Sequence, residues 1–139
     1  MSDEEFLTQF ENCTLEHKEW THRAHVKIAF IYLKRFPFDD ALLRIRKGIK
    51  AYNASRHVEE GPTSGYNETT TVAFVHLIAA TDRAYGMAMP TTTSDEFCDT
   101  HPHLMSAKIL RLFYSPEQRM KPEAKTAFLP PDLTPFPPH

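Results

Sequence analysis

Two histidines one helical turn apart, in Trp20-Thr21-His22-Arg23-Ala24-His25-Val26, are the residues of this chain best suited to chemistry, and Glu68 in Gly65-Tyr66-Asn67-Glu68-Thr69 adds a carboxylate. Two imidazoles and one carboxylate match the donor set that binds Fe(II) with open positions, or Zn(II) with a water in its fourth place. Such a metal polarises a substrate oxygen, activates water or binds dioxygen. Without a metal, His22 and His25 serve as general base and acid, with Glu68 setting tautomer and pKa. His22, His25 and Glu68 are therefore the expected catalytic residues, and the expected ligands if iron or zinc is the cofactor.

Helical phase supports this choice. At about 100° per residue and with His22 as origin, Leu33 falls at about 20°, Val26 at about 40°, Ala29 at about 340° and His25 at about 300°. Both imidazoles share the apolar stripe. Measured from Glu68, Ala79 lies at about 20°, Val72 at about 40° and Val75 at about 340°, so the carboxylate also points inward. A glutamate is rarely buried unless paired or coordinated. Trp20, Tyr32, Tyr52, Tyr66, Asn67 and Thr69 are the expected lining of a substrate pocket, with Thr69 orienting Glu68. Glu19 completes a Glu-x-x-His spacing with His22, but a second such motif is missing, which disfavours a dinuclear centre. His76 points about 80° away from Glu68 and reads as a flank residue. His101 and His103, around Pro102, read as exposed.

The elements that must position these groups are all helical. Ser2-Asp3-Glu4-Glu5 has the form of a capping box, and Phe6 with Phe10 gives a short stripe ending near Cys13. A second helix is expected from Glu16 to Phe36, burying Val26, Ala29, Leu33 and Phe36 and closed by Pro37. Asp39 caps a third, with Leu42, Ile45, Ile49 and Tyr52 inward and the basic group Arg44, Arg46, Lys47 and Lys50 as a solvated face. Asn67 caps a fourth running to Tyr85, which Gly86 ends. Thr93-Ser94-Asp95-Glu96 opens a short fifth helix, His103 to Tyr114 reads as a mostly buried segment, and Ser115-Pro116-Glu117-Gln118 is one more start signal. The expectation is a compact all-α bundle of about five to seven helices. Residues 1–128 form one domain, and 129–139 a proline-rich strap whose Leu133 and Phe136 pack back on it.

A chain of 139 residues with 41% hydrophobic and 24% charged side chains suits one domain with a real core. A net charge of −2 and a pI near 6.4 argue against a nucleic-acid partner. No apolar run is long enough for a membrane span, and the acidic start is unlike a secretory signal, which makes the cytoplasm the expected compartment. Cys13 and Cys98, far apart, suggest reduced thiols. Nucleotide, dinucleotide and serine-hydrolase motifs are absent.

The segments Trp20 to Val26, Tyr52-Asn53, Gly65 to Thr71 and Pro131-Asp132-Leu133-Thr134-Pro135 together resemble a group of small, mainly bacterial, uncharacterised helical proteins carrying W-T-H-x-A-H and Y-H-E-T. The resemblance covers most of the chain. It implies a site at His22, His25, Glu68 and Thr69, with Asn67 where a third histidine is usual, and it implies no particular reaction. The leading expectation is a metal-dependent small-molecule enzyme. The alternatives are a metal-free lyase, isomerase or cyclase based on His22 and His25, and a non-catalytic helical module binding a small molecule or a protein. A small molecule is the expected partner, and a homodimer is allowed.

Overall fold

Local capping chemistry sets most of the helix boundaries in the computed structural model, which describes residues 1–139. The first helix, α1 (Asp3–Glu11), starts where Ser2 Oγ accepts the Glu5 N–H at 3.1 Å and donates back to the Glu5 carboxylate. Its first turn holds Asp3, Glu4 and Glu5, the favourable sign for a helix N-terminus. It ends at Glu11 with Asn12 as its C-cap, and Cys13 follows with a left-handed φ of 57°.

The helix expected from Glu16 to Phe36 is two pieces. A single 3-10 turn covers His17–Glu19, and α2 (His22–Arg35) begins afresh. The reason is Thr21: its backbone is extended, and its hydroxyl oxygen accepts the Ala24 N–H at 3.3 Å. Because the helix starts there, the Ala24 N–H has no helical carbonyl four residues back, and the Thr21 side chain takes that place. Leu33 and Phe36 are only partly buried, whereas Val26 and the run from Ile28 to Tyr32 are buried. Packed against α1, α3, α4 and α5, α2 is hidden almost all round along that run, as a central helix must be.

Pro37, rather than Asp39, precedes α3 (Phe38–Ser55), with Asp39 and Asp40 inside its first turn. Ala41, Ile45, Ile49 and Tyr52 form its buried stripe. Gly48 is there because α1 comes close: a Cβ would stand 2.5 Å from a ring carbon of Phe10. The basic face is not simply solvated, since Arg44 lies 3.9 Å over the Phe36 ring and Arg46 turns toward Glu68.

As expected, α4 (Glu68–Tyr85) is capped by Asn67, whose Oδ1 accepts the Thr70 N–H at 2.9 Å, and stops at Gly86. Thr93 caps α5 (Ser94–Thr100), and Asp3 accepts both the N–H and the hydroxyl of buried Ser94, tying α1 to α5. The segment expected to be mostly buried is instead two 3-10 turns, Pro102–Met105 and Ala107–Leu112, separated by extended Ser106. Leu104 and Leu110 are buried, but Ala107 and Leu112 are exposed. Two single turns follow, α6 (Pro116–Arg119), capped by Ser115, and α7 (Glu123–Thr126).

The proline-rich end runs as an extended strap. Leu129 N–H bonds Thr69 Oγ1, Tyr114 donates to the Leu129 carbonyl, and Leu133 N–H bonds the Phe113 carbonyl at 2.9 Å. Phe136 packs on Phe113, Tyr114 and His76. Leu133, expected to pack as well, is 57% exposed; its backbone rather than its side chain holds the strap. The fold is all-α and compact, and no helix is long and apolar enough to cross a membrane.

Candidate functional site

Because Thr21 restarts the helix, His22 and His25 both fall in the first turn or so of α2. His22 Nε2 lies 2.9 Å from the Leu104 carbonyl, and His25 Nδ1 lies 2.7 Å from the Thr21 carbonyl. A carbonyl only accepts, so each of these nitrogens carries a proton and donates it. In the neutral rings the lone pairs are then on His22 Nδ1 and His25 Nε2. Neither of those nitrogens has a hydrogen-bond partner, and the only buried side-chain N or O lacking one is Arg56 Nε. Both basic nitrogens are therefore reached by solvent.

Burial is the main influence on His25. It lowers the imidazole pKa, the bond to the Thr21 carbonyl opposes this, and neighbouring His22 lowers it further. The positive end of the α2 dipole also disfavours an imidazolium. Trp20 stacks on His25 with ring centroids 3.9 Å apart, and Phe10 and Tyr52 back Trp20. Phe74 meets His22 edge-on at 4.9 Å.

The two histidines line a cavity of about 310 Å³ between α2, α3 and α4, with Val26, Ala29, Ile45, Ile49 and Phe74 among its walls. That volume is at the small end for ligand sites. Its other polar side chains are Thr70 and Thr71. Thr71 donates to the Asn67 carbonyl at 2.9 Å, while Thr70 Oγ accepts from Arg119 at 3.3 Å and keeps its own proton uncommitted. Thr70, Thr71, Phe74 and Arg119 were not among the residues expected at a site. The Thr69-Thr70-Thr71 run, beginning two residues past the Asn67 cap, is the signal that could have found the first two.

Glu68 belongs to a different cluster. Its carboxylate takes three N–H···O contacts of 2.8–3.1 Å from Arg46 and a 2.6 Å bond from the Tyr66 hydroxyl. Burial alone would raise the Glu68 pKa, but Arg46 and then Tyr66 outweigh it, and the carboxyl titrates below its ordinary range. Glu68 faces inward, as its phase required, yet its partner is a cation on α3. It is absent from the cavity lining, and nowhere do three His, Cys, Asp or Glu side chains gather as a group able to hold a metal. His22, His25 and Glu68 are thus not one donor set, and the residues present do not fit the iron or zinc site.

The expected pocket residues scatter. Trp20 supports His25 from behind. Tyr52 is buried and donates to the Leu15 carbonyl at 2.7 Å, and Tyr32 donates to Glu11 at 2.8 Å. Tyr66 borders a separate cleft with Lys50 and Lys125, where Lys125 is already bonded to Glu60 and to the Ser64 and Tyr66 carbonyls. Asn67 is the α4 cap. Thr69 does not orient Glu68; it donates to the Ala127 carbonyl at 2.9 Å and anchors the strap.

His101, expected to be exposed, is 4% exposed, among Phe97, Tyr85 and His103. His76 lies against the strap, its Nδ1 2.9 Å from His139 Nε2. Both cysteines are free, and burial pushes the Cys98 thiol up to about 11, far from a reactive thiolate. No protein-family model, curated protein or solved structure matches the chain.

Proposed function

We propose that this protein is a metal-free small-molecule enzyme of the isomerase, lyase or cyclase kind, moving a proton within the cavity between α2, α3 and α4. One observation carries the reading. Two half-buried imidazoles, each locked in one tautomer by a main-chain carbonyl, keep an unbonded nitrogen beside a mostly apolar cavity whose other polar side chains are two threonines.

His25 is the base. Its lowered pKa keeps the lone pair available at neutral pH, at some cost in proton affinity. Trp20 lies against the ring where an imidazolium would form, and an aromatic face stabilises a cation. His22, one turn away, hydrogen-bonds a substrate donor through Nδ1 or passes the proton on. The Thr70 hydroxyl, polarised by Arg119, donates to an oxygen that gains charge when a neighbouring C–H is broken.

Deuterium uptake from heavy water by α-hydroxyacetophenone, followed by NMR, tests this. Exchange above the buffer rate should fall about a hundredfold or more in His25→Gln. Equal exchange by wild type and variant, or none by either across a set of small ketones, would remove the proposal in favour of a non-catalytic binder.

A further inference from the structure

The cavity is unusual in what its polar atoms have left to offer. His22 Nδ1 and His25 Nε2 are acceptors, because the opposite nitrogen of each ring already donates to a carbonyl. Thr71 has given its proton to the Asn67 carbonyl and so offers a ligand no donor. Thr70 alone keeps a proton to give. Seven of the eleven lining residues are hydrophobic, and none is Asp, Glu, Lys or Arg. A carboxylate or phosphate would meet lone pairs and hydrocarbon, without a cation to offset its desolvation, and an ammonium would meet no carboxylate.

We infer that the cavity selects uncharged molecules with a small apolar body and a hydrogen-bond donor, hydroxyl-bearing ring compounds in chemical class, and excludes anions of the same shape. The donor bonds His25 Nε2 or His22 Nδ1, the ring lies on Phe74, Ile45 and Ile78, and Thr70 completes an acceptor on the ligand if there is one. This rests on the site proposed above, but it requires no turnover.

Phenol, toluene and benzoate separate the possibilities, being alike in size and different in donor and charge. Titrated into protein labelled at the imidazole nitrogens at neutral pH, phenol should shift the Nε2 resonance of His25 or the Nδ1 resonance of His22. It should bind at least about tenfold more tightly than toluene, the difference one good hydrogen bond makes, and benzoate should leave both resonances in place. Ala29→Leu, which narrows the cavity one turn beyond His25 while keeping both imidazoles, should abolish the phenol shift while the other histidine resonances report an intact fold. Toluene binding as well as phenol, benzoate binding better, phenol shifts that survive Ala29→Leu, or no phenol binding would each overturn the inference. Phenol binding without any deuterium exchange activity would leave it standing and remove only the proton-transfer reading.

Discussion

The histidine pair and the Glu68 cluster lie at the same kind of place, near the start of a helix and facing inward, yet they differ in how much hydrogen-bonding capacity the protein itself uses. Around Glu68 the capacity is filled: both carboxylate oxygens are taken, by Arg46 and Tyr66. At His22 and His25 one nitrogen of each ring is tied to the main chain and the other is left open beside a cavity. Buried polar groups are normally satisfied. A filled cluster therefore holds helices together, whereas the solvent-reached nitrogens at the cavity keep their lone pairs open, the property on which the proposed site rests.

The largest effect expected from this contrast is structural and falls on the filled cluster. Glu68→Ala leaves the partly buried Arg46 guanidinium without its partner and should cost about 2 kcal/mol, several degrees in Tm. Asn67→Ala, at the same helix start, should cost about 1 kcal/mol through the lost cap, checked by urea unfolding. His25→Gln removes one hydrogen bond and a stacking contact at a more open place and should cost about 1 kcal/mol or less while removing the deuterium exchange. If His25→Gln destabilises more than Glu68→Ala, the contrast between the two clusters is wrong.

Acid should sharpen it further. Burial is the leading cause of a lowered pKa at His25, His76 and His101, followed in the last two by a neighbouring histidine, His139 or His103. A base with a folded pKa below its unfolded one stabilises the fold above the unfolded value of about 6.5. That contribution is lost as pH falls from there toward the folded pKa. Glu68, also lowered but in the carboxylate range, loses its contribution only at much lower pH. Tm should therefore begin to decline between pH 7 and 5, before the ion pair is affected, and His25→Gln should make the decline shallower. A Tm flat to pH 5 would show that the histidines titrate alike in the folded and unfolded chain.

Much of the fold was legible because its signals are local. Ser2, Asn67, Thr93 and Ser115 were each recognisable as caps, and each side chain makes the bond expected of it. Thr21 was missed because no glutamate or glutamine follows at the third helical position to mark a capping box, and the apolar period runs on without a break. The inward phases of His22, His25 and Glu68 were readable as well. Phase, however, reports direction from one helix axis and not which neighbour stands opposite; that Glu68 meets Arg46 depends on how α3 and α4 cross. The same limit hid the burial of His101 and the roles of Tyr52 and Thr69, whose partners lie 37 and 58 residues away in the chain.

The Thr21 cap also gives the site a mechanical independence. With the two imidazoles counted from that residue, their angular setting follows from Thr21 onward and not from the helical phase of the chain before it. One residue inserted between His22 and His25 would swing the two apart by about 100°. The four residues from His22 to His25 are accordingly where this protein cannot change length.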